Sequence, residues 1–125
     1  PLPVRFDLDH LRRVLVNLLD NAQRHASAAP GAVQVLLAHE GAGQVRLEVS
    51  SDGPPIPPDV ERHLFEPFFS TRSRGTGLGL YICRELCERY GASIDYQWRP
   101  ADAPGRNAFS MTMPLAADQP APSTP

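Results

Sequence analysis

Apolar residues recur at helical spacing over residues 8–26, where they form one stripe between polar positions. The spacing predicts an amphipathic helix that begins at Asp7 or Asp9, since either aspartate can cap it, and that reaches about Ala26. A short strand is predicted just before it, over residues 4–7. The predicted apolar face of the helix consists of Leu8, Leu11, Val14, Leu15, Leu18, Leu19, Ala22 and Ala26.

Strict alternation replaces the helical spacing over residues 33–37 and 45–49, on either side of a glycine turn at 41–43. The two segments are therefore predicted to form a hairpin with one buried face. Side chains alternate across a strand, so continuing the second segment puts Ser51 on the buried side and turns Asp52 away from it.

Four prolines interrupt the chain after this hairpin, and a short helix is predicted over residues 59–64. A second long helix follows, because apolar residues recur every four positions from Leu78 to Tyr90 and Gly91 can cap the end. Alternation at 94–98 and at 109–113 predicts two further strands. The final segment, PLAADQPAPSTP, has too little apolar content to order itself.

Composition narrows the class of protein. At 125 residues the chain is expected to form one domain, and a net charge of -2 with a pI near 6.1 argues against nucleic-acid binding. No apolar run is long enough to predict a membrane span. Cys83 and Cys87 lie four positions apart on one predicted helix, a poor geometry for a disulfide, so free thiols in a reducing cytosol are expected.

A glycine-rich loop, STRSRGTGLG, leads directly into the second long helix. Gly75, Gly77 and Gly79 allow close backbone approach, and a helix N-terminus offers unpaired amides to phosphate. Arg72 and Arg74 could assist as phosphate partners. A flexible hinge with solvated arginines is the alternative that the loop alone leaves open.

Polar residues also line one edge of the first predicted helix. Asn17, Asn21 and Arg24 cluster there, with His25 nearer the middle of the apolar stripe. Asparagine is a weak helix former, but its side-chain carbonyl can coordinate a hard cation or accept a hydrogen bond. A solvated polar face, with His25 as a packing residue, is the simpler interpretation.

Four segments in order, NLLDNAQRHA, SSDGPPIPP, LFEPFFSTR and RGTGLGLYICREL, resemble the N, G1, F and G2 boxes of the ATP-binding domain of sensor histidine kinases. The resemblance covers residues 4–114 and is nearest to kinases of the pilus-regulating and nitrogen-regulating kind. It implies an α/β (α+β) two-layer sandwich of the Bergerat type, with a mixed, mostly antiparallel sheet of about five strands packed on three helices. Residues 1–114 would form the domain and 115–125 a disordered tail.

The resemblance also implies a function. The domain would bind ATP with Mg²⁺, held by Asn21, and donate the γ-phosphoryl group to a histidine on a separate dimerisation domain of the same kinase, from which a response regulator would receive it. The implied nucleotide-binding residues are Asn17, Asn21, Arg24, His25, Ser51, Asp52, Gly53, Ile56, Phe69, Arg72, Arg74, Gly75, Thr76, Gly77, Leu78 and Gly79.

Related ATPases carry a glutamate base where this chain has Asn17. An amide cannot take up a proton at neutral pH, so phosphoryl transfer is expected over hydrolysis, and a serine kinase of the anti-sigma type fits poorly. The chain is expected to be cytoplasmic, without nucleic acid or direct membrane contact. Whether its parent is anchored in the inner membrane is left open.

The G1 box departs from the family pattern at the adenine end. The family has Asp-x-Gly-x-Gly, with the aspartate accepting from the adenine amino group, whereas this chain has Ser51 at the aspartate and Pro55 at the second glycine. Weakened adenine binding is therefore expected. The alternative function is a degenerate regulatory module that binds ATP weakly or not at all and instead binds another purine nucleotide or a protein partner.

Overall fold

The structure is a computed structural model that describes residues 4–41, 43–69, 78–99 and 106–115. Three helices and four strands follow one another in these residues, in the order α1-β1-β2-α2-α3-β3-β4. The helices are α1 (Leu8–His25), α2 (Pro58–Glu61) and α3 (Gly79–Arg89), and the strands are β1 (Val33–His39), β2 (Gln44–Ser51), β3 (Ser93–Trp98) and β4 (Asn107–Pro114).

The strands form one sheet in the order β1-β2-β4-β3, with α1 and α3 packed on one side of it. This architecture confirms the predicted two-layer α/β fold. Every described strand pair is antiparallel, so the described sheet is not mixed, and it has four strands where about five were expected.

The predicted strand at residues 4–7 is wrong, because only an isolated bridge joins Val4 to Leu115. This bridge lies beyond the end of β3, which pairs with β4 only up to Thr112. The chain instead turns towards the helices, where Phe6 stacks on Tyr90 with ring centroids 4.3 Å apart. Aromatic packing thus takes the place of strand pairing at the start of the chain.

The start of α1 and the end of α3 both lie where local chemistry predicts. Asp7 caps α1, since its carboxylate accepts from the backbone N–H groups of Asp9 at 2.9 Å and His10 at 3.2 Å. Gly91 ends α3 with a φ of 71°, and Ala92 donates to the carbonyl of Cys87 at 2.8 Å. This is a Schellman motif, which requires a residue that tolerates the left-handed conformation.

The core lies between the helices and the sheet. Val14, Leu18 and Ala22 form the buried spine of α1, whereas Leu8, predicted on the same face, is 68% exposed in the first turn of the helix. Cys83 and Cys87 are buried free thiols, as predicted. Burial raises the pKa of each thiol to about 12, so both stay protonated at neutral pH.

Strand β2 is buried on both faces, contrary to the prediction of one buried face. Its Glu48, on the side away from the helices, is only 3% exposed. Arg99 donates two hydrogen bonds to the Glu48 carboxylate, at 2.5 and 2.6 Å, and Arg46 donates a third at 2.9 Å. Hydrogen bonding from Arg99 lowers the pKa of Glu48 below its usual value, so the buried carboxylate remains charged and paired.

Candidate functional site

A cleft opens between α1, the end of β2 and the loop that follows it. It lies beside the last turns of α1, the end of β2 and the start of β4. Its lining residues come from four separate parts of the chain: Asn21, Ala22, His25, Val49, Ser51, Pro54, Ile56, Asn107 and Phe109.

Residues of α1 form one wall of the cleft. Asn21 and His25 are one turn apart, and both line the cleft beside the buried Ala22. Arg24 lies on another side of the helix, where it pairs with Asp20 at 3.5 Å and does not line the cleft. The predicted polar edge of α1 is therefore only partly directed into the cleft.

Asn17 lies one turn before Asn21, where α1 meets the start of α3. Its side-chain amide donates to the carbonyl of Arg13 at 2.9 Å. Its carbonyl oxygen would lie 3.0 Å from a Cβ added to Gly79, the first residue of α3. The fold thus brings together Asn17 and one of the predicted phosphate-binding glycines, with Leu78 immediately before α3.

Ser51 closes the opposite end of the cleft, at the last position of β2. It is 2% exposed and lines the cleft, as side-chain alternation predicts. Asp52 does not line it. The Asp52 carboxylate accepts from the Ser27 backbone N–H at 2.8 Å and from the Ser27 hydroxyl at 2.6 Å, so the side chain points towards the segment after α1.

Hydrogen bonds from Ser27 lower the pKa of Asp52 below its usual value, so the carboxylate is charged at neutral pH. It is nevertheless engaged outside the cleft. Among the described residues that line the cleft, none is an aspartate or glutamate. The base end of the site, defined here as Ser51 and the loop 52–56, therefore directs only neutral side chains into the cleft.

Gly53 makes the closest backbone approach in this loop. A Cβ added to Gly53 would lie 2.1 Å from the carbonyl oxygen of His25, a separation that side chains do not tolerate. Glycine is required here by close contact between the loop and the end of α1, not by a positive φ. The G1 glycine predicted from the sequence thus has a clear structural reason.

A buried pair that the sequence analysis missed, Tyr96 and Asn107, holds the same loop. Asn107 donates to the carbonyls of Gly53 and Pro54, both at 2.7 Å, and accepts a short hydrogen bond from the Tyr96 hydroxyl. That hydroxyl in turn accepts from the backbone N–H of Ile56 at 3.1 Å. Asn107 has the same strand parity as Phe109, Met111 and Met113, so a polar residue on this otherwise apolar face was the available signal.

The remaining predicted site residues differ in where the structure places them. Ile56 lines the cleft, whereas Phe69 lies beside His63, with ring centroids 5.4 Å apart, and is not a lining residue. Phe65 packs edge-on against Phe109, at the border of the core. The predictions for Arg72, Arg74, Gly75, Thr76 and Gly77 lie outside the described residues.

The described side chains do not provide a complete protein cage for a metal. Within residues 4–41, 43–69, 78–99 and 106–115, no cluster of three or more His, Cys, Asp or Glu side chains could hold one. A single neutral oxygen from Asn21 fits a Mg²⁺ ion whose other ligands are phosphate oxygens and water. No helix in the described part of the chain is long and apolar enough to cross a membrane.

Comparison with known proteins assigns the chain that forms this cleft to a family. The family described as "Histidine kinase-, DNA gyrase B-, and HSP90-like ATPase" matches residues 6–117. The chain belongs to this family. The matched residues include all those that line the cleft, so the family predicted from the four boxes is confirmed.

Relatives of this ATPase domain are sensor kinases. It is 48% identical to the sensor protein kinase PilS of Pseudomonas aeruginosa over 101 residues, which cover 78% of this chain and 19% of PilS. The solved mycobacterial sensor histidine kinase MprB is 32% identical, with a TM-score of 0.74, and the match covers 87% of this chain and 72% of that one. The chain thus spans about a fifth of its curated relative PilS.

A structure of full-length ShkA in complex with AMPPNP is also similar, at 30% identity and a TM-score of 0.73, covering 93% of this chain and 24% of ShkA. Together these relatives support an ATP-binding, histidine kinase-type domain. They give no support to the alternative of a degenerate regulatory module.

Proposed function

We propose that this domain binds ATP with Mg²⁺ in the cleft between α1 and the loop 52–56 and donates the γ-phosphoryl group to a histidine on a separate dimerisation domain of the same kinase. A response regulator would receive the phosphoryl group from that histidine. The observation that carries the proposal is the convergence of Asn21, Ser51 and Ile56 on one cleft, in a domain of the ATPase family.

Each end of the cleft has a chemical role in this proposal. Asn21 would supply a neutral oxygen to Mg²⁺, which also binds phosphate oxygens. Asn17, whose carbonyl oxygen faces Gly79 at the start of α3, would position the phosphates with the amides of that helix terminus. The apolar side chains of Ile56 and Val49 would pack against the base.

The proposed chemistry depends on positioning more than on a protein base. The side-chain amide of Asn17 cannot act as a general base at neutral pH, so it would not activate a water molecule near the γ-phosphate. ATP would instead persist until the phosphoacceptor histidine docks. Electrostatic stabilisation and alignment then account for the rate of transfer.

Calorimetry on this domain, with ATP or ADP in the presence and absence of Mg²⁺, tests the binding step. Asn21→Ala should abolish the enhancement of affinity by Mg²⁺, because it removes the proposed ligand oxygen. Gln23→Ala is the matched control, since Gln23 lies exposed on the same helix and does not line the cleft. Equal Mg²⁺ enhancement in Asn21→Ala and the native domain would refute the assignment of Asn21.

Transfer is tested by adding the dimerisation domain in trans with γ-labelled ATP. The expected result is label on the histidine of that domain, and none on this domain incubated alone. Failure to bind any nucleotide up to millimolar concentration, with the fold intact by circular dichroism, would refute the proposed function itself.

A further inference from the structure

Ser51 is the polar group at the base end of the cleft that side-chain alternation directs inward. It is nearly fully buried and lies opposite Asn107 in the pairing of β2 with β4. The nearest carboxylate in sequence, Asp52, is held by two hydrogen bonds from Ser27. A hydroxyl therefore occupies the place at which a carboxylate would select an amino group.

The loop cannot easily shift by one residue to bring Asp52 into the cleft. Asn107 binds the carbonyls of Gly53 and Pro54, and Tyr96 accepts from the N–H of Ile56. On its other side, the loop is packed so closely on the His25 carbonyl that Gly53 has no room for a side chain. The backbone N–H of Asp52 also donates to the carbonyl of Ala32 at 3.0 Å.

We infer that the base end of this site accepts 6-oxopurine nucleotides as well as adenine nucleotides. A carboxylate only accepts hydrogen bonds, so it favours a 6-amino group and repels a 6-carbonyl oxygen. A serine hydroxyl both donates and accepts, and it rotates to suit either group. This inference rests on the proposed function, because it concerns the base of the same nucleotide.

Asn107 and Tyr96 act in this arrangement as positioning residues. Both protons of the Asn107 amide nitrogen are used on the loop carbonyls, and its oxygen accepts from Tyr96. The pair therefore fixes the frame that presents Ser51. Selectivity for the base is left to the Ser51 hydroxyl.

Competition between ATP and ITP gives the sharpest test, because the two differ in the base only by the 6-amino group of adenine against the 6-oxo group and N1 proton of hypoxanthine. Each would displace a fluorescent ATP analogue from the native domain in Mg²⁺. We expect the two dissociation constants to agree within about tenfold. Ser51→Asp should tighten ATP by about tenfold or more and weaken ITP, because it restores a charged, acceptor-only group.

Three further variants separate the base contact from general effects. Ser51→Ala removes the hydroxyl with minimal change of volume and should weaken both nucleotides to a similar extent. Ser93→Asp adds the same charge at an exposed position, the first residue of β3, which lies at the opposite end of that strand from Asn107. It should leave the ratio of the ATP and ITP dissociation constants unchanged. Asp52→Asn should also leave the ratio unchanged, since Asp52 faces Ser27.

The outcomes distinguish this inference from the function on which it rests. Binding of ATP with exclusion of ITP by more than about a hundredfold would overturn the inference and leave the proposed function in place. A ratio that changes in Asp52→Asn would also overturn it, because Asp52 would then contact the base. Absence of binding by both nucleotides would overturn both proposals. If Ser51→Asp fails to fold, the inference is still tested by the ratio of the ATP and ITP dissociation constants in the native domain and by the effect of Ser51→Ala on both constants.

Discussion

Next to the cleft, α1 and α3 meet through the side chain of Asn17 and the backbone of Gly79, whereas the base end is a loop packed on the backbone of α1 and held by Asn107. Gly53 is fixed by His25 on one side and by Asn107 on the other. The contact near α3 thus depends on one side chain that can move, whereas the base end depends on a loop that is fixed from both sides. A change at the base end should therefore affect stability and binding together, whereas a change near α3 should affect binding more than stability.

Gly53→Ala should have the largest effect. Its Cβ would meet the backbone carbonyl of His25 at 2.1 Å, so the loop or the end of α1 must move. We expect a loss of unfolding free energy of about 3 kcal/mol, at the upper part of the range for overpacked sites. Urea denaturation of the native domain and the variant measures this loss of unfolding free energy.

Gly43→Ala is the control for this substitution, since nothing lies within 4 Å of an added Cβ there although φ is 78°. It should cost about 1 kcal/mol through backbone strain alone. A Gly53→Ala variant no less stable than this control would contradict the close packing of the loop on α1.

Asn107→Ala should have the next largest effect. It leaves the carbonyls of Gly53 and Pro54 and the Tyr96 hydroxyl without their partner, at a cost of about 2 kcal/mol. ATP affinity should fall as well, because the loop is no longer fixed. Thermal unfolding and nucleotide titration check the two effects.

A double-mutant cycle with Tyr96→Phe sharpens this prediction. The two side chains belong to one hydrogen-bonded network, so their effects on stability should be less than additive. Strict additivity would show that Tyr96 and Asn107 act independently of one another.

Gly79→Ala tests the end near α3. The added Cβ would meet a side-chain atom, the carbonyl oxygen of Asn17, at 3.0 Å, and a side chain can move aside. Stability should change by no more than about 0.5 kcal/mol. ATP affinity should fall several-fold, because Asn17 is displaced from the phosphates.

The exposed Glu85→Ala, on the same helix, serves as the control for Gly79→Ala and should leave ATP affinity unchanged. A large loss of stability in Gly79→Ala without any loss of affinity would reverse the comparison between the two ends.

The smallest effect concerns the Asp52 carboxylate. Hydrogen bonds from Ser27 place its pKa below 3.8, so the contact contributes stability that is present above pH 3.8 and is lost as the pH falls through the lowered pKa. NMR titration of Asp52 should show this lowered midpoint. Ser27→Ala should return it towards 3.8, and an unchanged midpoint would place the cause elsewhere.

Most of the fold could be predicted because its signals are local. The α1 stripe, its Asp7 cap and the Schellman turn at Gly91 each involve residues within a few positions of one another. Alternation in β2 likewise placed Ser51 correctly. The strand predicted at residues 4–7 failed because Phe6 stacks on Tyr90 and the pairing does not continue past the single bridge from Val4 to Leu115.

The sequence by itself determined the family, the order of the elements and the presence of Ser51 where the family pattern has an aspartate. Only the tertiary structure decided that Asp52 is diverted to Ser27, that Asn107 and Tyr96 fix the loop, and that Glu48 is buried among arginines. These contacts join residues up to 54 positions apart. Periodicity describes which side a residue faces, whereas its hydrogen-bond partners depend on which distant strands and loops meet there.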